Sequence, residues 1–370
     1  MTKRKIFFAI LDMGLGHATR SLPIIKKCVD LEWQVIIGCS GRSLIFLEKE
    51  LPKASFIEMA DYGLQYSEKG VSIINIVLQF PRLLRVILSE NRFIKQYIHE
   101  NKVDVILSDH RYGCFSKEIP SFFLTHQLRF IAPKSVRCFE FLGVLFNNYF
   151  HSKYTAVIIP DTLQKNQGLI SGNMSKITAE KRYHFAGVLS SLSRQENLKN
   201  NIDVFISISG PEPQRTVLER IIRAQINDVP GKKVMTLGLP ESDFIEHTHP
   251  DVLIYHHLGR TEMELIMNRS RLIISRSGFS TIMELAELTK KALFIPTPGQ
   301  TEQLYLAKRL YENKWFHFVQ QDKLNLRRDI PLALRYPGFP EMKPTAMTVD
   351  YIIKLIMNYE KGAEGESNVS

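Results

Sequence analysis

The sequence predicts an α/β protein built from two doubly wound, Rossmann-like halves. Three observations lead there. Short apolar runs alternate with longer stretches whose apolar residues recur at helical spacing. Two of these runs pass through a turn of small residues straight into a helix: residues 6–11 into Gly14-Leu15-Gly16, and Leu272-Ile273-Ile274 into Ser275-Arg276-Ser277-Gly278. Between them lies LSSLSRQENLKNN, residues 189–201, polar and poor in apolar side chains, which reads as a linker. At 370 residues, 44% apolar and 23% charged, the chain can fill two cores.

The first half opens with a strand at 6–11. Asp12-Met13-Gly14-Leu15-Gly16-His17-Ala18-Thr19-Arg20 follows, then a helix over about 21–31. Gly14 and Gly16 permit a tight turn and close backbone approach. The third glycine of a dinucleotide fingerprint is missing, and His17 stands at the helix mouth. A strand at 34–39, the turn Ser40-Gly41-Arg42-Ser43, a helix to about 51 and a short strand at 55–58 come next. Residues 61–70 read as a loop.

Residues 71–100 are amphipathic, with Arg82, Arg85, Arg92 and Lys95 among apolar side chains and Pro81 as a kink. A core-packed helix pair and a membrane-surface element both fit this pattern. The strand at 103–107 ends in Ser108-Asp109-His110-Arg111, and the strand at 121–124 in Thr125-His126-Gln127. Open α/β sheets bind ligands beyond such strand ends, although each histidine also suits a structural role. Strands at 156–160 and 183–188 complete this half.

The second half repeats the logic. A strand at 203–207 leads through Ser209-Gly210-Pro211-Glu212-Pro213-Gln214-Arg215 into a helix at 216–226. Strands at 233–237 and 252–255 follow, the latter ending in His256-His257-Leu258-Gly259. Adjacent histidines do not share one helix or strand face, and no carboxylate completes a metal set, so these residues read as a loop. The strand at 272–274 enters the helix at 281–288 through Ser277-Gly278. A helix entered this way aims backbone N–H groups and its positive dipole end at the turn, which suits a diphosphate. Glu284, one turn in, can accept from a ribose diol or sit solvated. The strand at 292–295 ends in Pro296-Thr297-Pro298-Gly299, and Gln300-Thr301-Glu302-Gln303 begins the next helix. A strand at 316–319 and a last helix at 349–358 close the order.

The segments 276–284 and 296–307 resemble the nucleotide-binding half of GT-B glycosyltransferases, especially glycosyltransferase family 28 and the peptidoglycan N-acetylglucosaminyltransferase. The family pattern R-[SA]-G-x-x-T-x-x-E, followed by a P-x-P loop and [DE]-Q, is matched by Arg276, Ser277, Gly278, Thr281, Glu284, Pro296, Glu302, Gln303 and Ala307. Where this chain has Glu302-Gln303 the family often has Gln-Gln. The first loop, G-x-G-H-x-x-R at 14–20, resembles that of GT-B enzymes and of nucleotide-sugar hydrolases.

The resemblance implies two halves facing across a cleft, and a last helix that packs back on the first half. The expected boundaries are 1–189, 190–345, a helix at 346–361 and a disordered tail at 362–370. It implies His17 as general base, a role that suits an imidazole, with Asp109 and His126 on the same acceptor side. Histidine capping its own helix is the ordinary alternative for His17. It also implies donor contacts from Gly14, Gly16, Gly210, Arg215, Leu258, Arg276, Ser277, Gly278, Thr281, Glu284, Gly299, Gln300, Glu302 and Gln303. Transfer from a nucleoside-diphosphate sugar, a UDP-sugar first, to a carbohydrate or lipid-linked acceptor is expected. The resemblance further implies a reaction that inverts, uses no metal and no cofactor beyond the donor substrate, and serves envelope glycan or glycolipid synthesis. A nucleotide-sugar hydrolase and a non-catalytic nucleotide-sugar binder are the alternatives.

Composition narrows the partners. The charge of +10 comes without a basic block interleaved with aromatics, so no nucleic acid is expected. An anionic membrane surface or an anionic substrate accounts for it equally well. No apolar run is long enough to cross a membrane. Cys28, Cys39, Cys114 and Cys138 are scattered without C-x-x-C spacing, which fits a reducing cytoplasm. A cytoplasmic protein, peripheral at the inner face of the membrane, is the expectation.

Overall fold

The computed structural model describes residues 3–62, 73–132, 140–177, 181–196, 198–239 and 242–367. The chain forms two compact units, which divide between Ser191 and Leu192. In the first, the elements in order are β1 (Lys5–Ile10), α1 (Gly16–Asp30), β2 (Gln34–Cys39), α2 (Gly41–Glu50), β3 (Ser55–Glu58) and α3 (Ile73–Asn101). Then come β4 (Val105–Asp109), β5 (Ser121–Leu124), α4 (Glu140–His151), β6 (Ala156–Ile159), the small hairpin β7 (Leu163–Gln164) and β8 (Gln167–Gly168), and β9 (Tyr183–Phe185). The main sheet has the order β3-β2-β1-β4-β5-β6-β9, and all its neighbours are parallel. β1, β4, β5 and β6 are buried on both faces, which is why they read as unbroken apolar runs.

The second unit holds β10 (Ile202–Ser207), α5 (Gln214–Arg223), β11 (Lys233–Thr236), β12 (Ile245–His249), β13 (Val252–Tyr255) and α6 (Arg260–Arg269). It continues with β14 (Ser270–Ser275), α7 (Phe279–Leu288), β15 (Lys291–Phe294), α8 (Thr301–Glu312), β16 (His317–Phe318) and α9 (Leu326–Leu334). Its sheet order is β12-β13-β11-β10-β14-β15-β16, and only the edge strand β12 runs antiparallel. After it, α10 (Thr345–Ser367) returns to the first unit. Its Val349, Ile352, Ile353 and Ile356 enter the core that holds Ile6, Phe8, Leu22 and Ile25, and Asp350 lies 3.0 Å from Lys27 Nζ.

Several boundaries differ from the sequence reading. α1 begins at Gly16 rather than near residue 21, so His17 lies in its first turn. β4 extends to Asp109, which makes that residue the buried tip of a strand. In place of a helix pair, α3 is one 29-residue helix that runs through Pro81. Residues 71–72 of that stretch, the loop at 63–70 and Cys138 lie outside the described residues. α10 continues to Ser367, past the expected end at 361. α4, α9 and β12 were not legible in the sequence. α4 exposes much of its apolar surface, and β12 is an edge strand of polar, exposed residues. Cys28, Cys39 and Cys114 are buried free thiols, and burial first pushes Cys28 and Cys39 up to about 12.

Candidate active site

In the first unit the sheet order reverses between β1 and β4, and Ile10 pairs directly with Asp109. Ligands of open α/β sheets bind beyond the strand ends at such a reversal. His17, in the first turn after β1, and Asp109, at the tip of β4, meet there. His17 Nδ1 lies 2.7 Å from Asp109 Oδ1. Arg20, one turn further along α1, points at the same carboxylate: its Nε donates to Asp109 Oδ2 over 2.8 Å, and an Nη group donates to Oδ1. The Ser21 hydroxyl donates to Oδ2 over 2.8 Å. Gly14 takes φ +79 in the preceding turn, and a side chain added there would meet nothing within 4 Å. The turn therefore needs glycine for its backbone and not for lack of room.

His17 Nδ1 has two neighbours that call for opposite tautomers. Arg20 Nη2 also lies 2.9 Å from His17 Nδ1, but a guanidinium can only donate and a carboxylate can only accept. Where Nδ1 donates to Asp109, Nε2 is the basic nitrogen; where Nδ1 accepts from Arg20, Nε2 carries the proton. Asp109 is fully buried. Burial alone would push its carboxyl up, but Arg20 and His17 hold it well below the usual carboxylate range.

Two more histidines close the cluster. His126 Nδ1 is 2.8 Å from Arg20 Nη1, so the expected trio of His17, Asp109 and His126 is joined through Arg20. His110 takes φ +60, with its ring centroid 4.9 Å from that of His17 and 5.7 Å from that of His126. Its Nε2 meets Thr125 Oγ1 at 2.7 Å. Burial, and then the nearness of His17 and Arg20, pushes His110 well below the ordinary imidazole value. In the sequence, Arg20 stands out only as part of a motif, and His110 only as one of two histidines beyond strand ends. Their signal was position: Arg20 one turn beyond His17, and His110 next to a strand tip.

In the second unit the sheet order reverses between β10 and β14. Gly210 follows β10, and Ser277-Gly278 follows β14. Gly278 caps α7, with nothing within 4 Å of where its side chain would be. The Ser277 hydroxyl donates to the Gln303 carbonyl over 2.8 Å. Thr281 and Glu284 lie half-buried on α7. Glu284 Oε1 accepts from Arg260, the first residue of α6, so this carboxylate is already engaged.

Arg276, an expected donor contact, has partners within its own unit. It is 2% exposed, and its guanidinium donates to the carbonyls of Ser209, Ile295, Pro296 and Gln214 and to Gln321 Oε1. It ties the loops after β10 and β15 together. Arg215 is likewise occupied, by Glu212 at 2.6 Å and Glu219 at 3.2 Å. Gln303 Oε1 accepts from Thr297 N–H at 2.9 Å, and its Nε2 donates to Gln300 Oε1 at 2.5 Å. These bonds hold the loop containing Gly299 against the start of α8. Glu302 sits half-buried in that first helical turn, and Leu258 is buried between β13 and α6.

Gly14 and Gly16 belong to the first unit and the other donor candidates to the second. Two residues were missed: the Ser275 and Thr297 hydroxyls, buried without a partner at the ends of β14 and β15. His256 meets Ser242 Oγ at 2.9 Å and Glu246 Oε1 at 3.0 Å. Among the described residues no group of three His, Cys, Asp or Glu side chains is placed to hold a metal ion.

Comparison with known proteins agrees with this architecture. Residues 247–335 match the family model of the glycosyltransferase family 28 C-terminal domain. No curated protein matches the chain by sequence. Among solved structures, CalG4, the calicheamicin glycosyltransferase, superposes with a TM-score of 0.63 at 15% identity, covering 100% of this chain and 98% of that one. MurG of Acinetobacter baumannii gives 0.54 at 15%, covering 96% and 99%. The spinosyn rhamnosyltransferase SpnG, complexed with thymidine diphosphate, gives 0.59 at 11%, covering 94% of each. At these identities the likeness is one of fold. The chain thus carries a match to the glycosyltransferase family 28 C-terminal domain at residues 247–335, within a GT-B fold of two Rossmann-like units.

Proposed function

We propose that the chain moves a sugar from a nucleoside-diphosphate donor, a UDP-sugar first, to an acceptor hydroxyl with inversion. The observation that carries this reading is the His17–Asp109 pair at the strand reversal of the first unit. Asp109 fixes the ring with Nε2 as the base. Nε2 takes the acceptor's proton as the acceptor oxygen attacks the anomeric carbon from the face opposite the leaving group. A single displacement of this kind inverts the configuration. The diphosphate leaves with growing negative charge, which the N-terminus of α7 at Gly278 is suited to receive. Uridine is the first choice of base because residues 247–335 match family 28.

The acceptor is lipid-linked, serves envelope glycan or glycolipid synthesis, and is met at an anionic membrane surface. α4 supports this. Its Phe141, Leu142, Leu145 and Tyr149 are 57%, 51%, 59% and 59% exposed on one stretch of helix. Phe130 packs on Gly143, Phe80 meets Phe146 edge-on, and Lys153 lies over the Tyr149 ring. Arg82, Arg85, Arg92 and Lys95 on α3 are exposed. Apolar side chains bordered by cations suit an anionic interface. No helix of the described residues is long and apolar enough to cross a membrane.

The deciding experiment is mass spectrometry of products after incubation with UDP-sugars, with and without a polyprenyl-linked sugar acceptor. Acceptor-dependent glycoside formation, lost in His17→Ala, is the expected result. Free sugar as the sole product makes the protein a hydrolase instead. UDP-sugar binding without turnover makes it a binding protein.

A further inference from the structure

Arg20 reaches Asp109, His17 and His126 within the first-unit cluster. It is 2% exposed, and His126 is 6% exposed. A guanidinium can only donate hydrogen bonds. Arg20 Nη1 lies 2.8 Å from His126 Nδ1, so that ring nitrogen presents a lone pair. A neutral imidazole that accepts at Nδ1 carries its proton on Nε2. A second proton would have to go onto Nδ1, where its N–H would point at the guanidinium. Arg20 therefore opposes an imidazolium at His126 in two ways: by its charge, and by taking the lone pair that the second proton needs.

The neighbouring groups agree with a neutral His126. The His110 ring, its centroid 5.7 Å away, faces His126 from the end of β4. Burial pushes His110 well below the ordinary imidazole value, so it brings no charge. Asp109 and His17 are linked to His126 through Arg20. The Asp109 oxygens already accept from Arg20 and from the Ser21 hydroxyl, so its negative charge is spent on Arg20. A second cation at His126 would have no such partner in this arrangement.

We propose that Arg20 is a positioning residue for the base: it holds His126 neutral with its proton on Nε2, and so reserves the acceptor's proton for His17. A cation at His126 would make an imidazolium at His17 harder to form, because like charges in one buried cluster repel. With His126 held neutral, the acceptor hydroxyl gives its proton to His17 and Asp109 balances the new charge. His126 is thereby an acceptor for Arg20 and not a second base. The inference rests on the sugar-transfer reading, in which His17 receives that proton.

The test is NMR of the intact protein with its histidine rings labelled with nitrogen-15, titrated from about pH 8 to about pH 5.5, across the ordinary imidazole value. Long-range proton–nitrogen couplings tell a protonated ring nitrogen from a bare one, and the signal lost in His126→Asn assigns that ring. In the parent chain His126 Nδ1 should stay bare throughout. Arg20→Lys keeps a cation beside Asp109 but loses the planar fork, so His126 should take up a second proton as pH falls through about 6.5. Turnover gives a separate reading. His126→Asn keeps an acceptor for Arg20 near the place of Nδ1 and cannot serve as a base. It should turn over about tenfold faster than His126→Ala, the scale of one hydrogen bond to a charged group. A parent His126 that protonates on Nδ1, an Arg20→Lys titration identical to the parent's, or equal turnover of the two His126 variants in an active enzyme would each overturn the proposal. Where Arg20→Lys fails to fold by circular dichroism, the parent titration and the His126 pair decide it. The titrations need no substrate. The expected spectra without any glycoside product sink the transfer reading and leave the neutral state of His126 standing on its own.

Discussion

His17 Nδ1 lies 2.7 Å from Asp109 Oδ1, although 92 residues separate the two in the chain. The pair gives a direct prediction. His17→Ala should lower turnover by about 10²–10⁴-fold, the usual span for losing a general base, while nucleoside-diphosphate affinity stays unchanged. Asp109→Asn should also slow turnover. It leaves the Arg20 cation, 2% exposed, without its counter-ion, so it should cost about 3–5 kcal/mol of stability as well. Steady-state kinetics and denaturant titration of both variants check this. Near-normal turnover in a folded His17→Ala protein removes the dyad from the mechanism.

Glu284 concerns the donor. If its carboxylate takes hydrogen bonds from a ribose diol, Glu284→Ala should weaken UDP binding by roughly 1–3 kcal/mol. Its ion pair with Arg260 is a competing role, so Arg260→Ala is the necessary control. Calorimetry on both variants separates the two. Unchanged UDP affinity in Glu284→Ala leaves Glu284 as the partner of Arg260 alone.

Arg276 should behave as a structural residue. Arg276→Ala strands several buried carbonyls at once, which should cost about 3–5 kcal/mol. Any loss of UDP affinity should follow the loss of folded protein. A variant with full stability and no UDP binding would show instead that the guanidinium touches the donor.

Acid should destabilise the first unit through its buried histidines. Burial pushes His110 well below the ordinary imidazole value and His151 down to about 3, with Arg182 a second cause for the latter. The unfolded chain takes up these protons as pH falls through about 6.5, and the folded chain does not. Stability is therefore full above that value and declines below it, by roughly 1.4 kcal/mol per pH unit for each histidine, until the folded group protonates. His151→Phe should flatten the decline. A stability profile identical to that of the parent chain between pH 6.5 and 4 would show that His151 does not contribute.

The exposed face of α4 predicts co-sedimentation with vesicles containing phosphatidylglycerol, with release by salt, since surface attraction is screened within about 8–10 Å. Leu145→Asp should abolish it, because a charge then replaces an exposed apolar anchor. Equal partition onto neutral vesicles, or none onto either kind, counts against a membrane-delivered acceptor.

The sequence by itself determined the alternation of strands and helices and the two strand–turn–helix units at β1–α1 and β14–α7. It also placed His17, Asp109 and His126 at strand ends. These features are local: period, turn chemistry and small residues before a helix are written over a few neighbouring positions. Strand order is not local. That β1 lies beside β4 is decided by the packing of the whole sheet, and with it the meeting of His17, Arg20, Asp109 and His126.

The same limit explains Arg276, whose side chain reaches carbonyls of two other segments, one after β10 and one after β15. It explains α4, whose apolar residues gave no sign of which would face solvent. It also explains the carboxylates of Asp12, Glu58 and Asp61. Asp12 follows β1 while Glu58 and Asp61 lie at the end of β3, and they share one cavity only because β1, β2 and β3 stand side by side in the sheet.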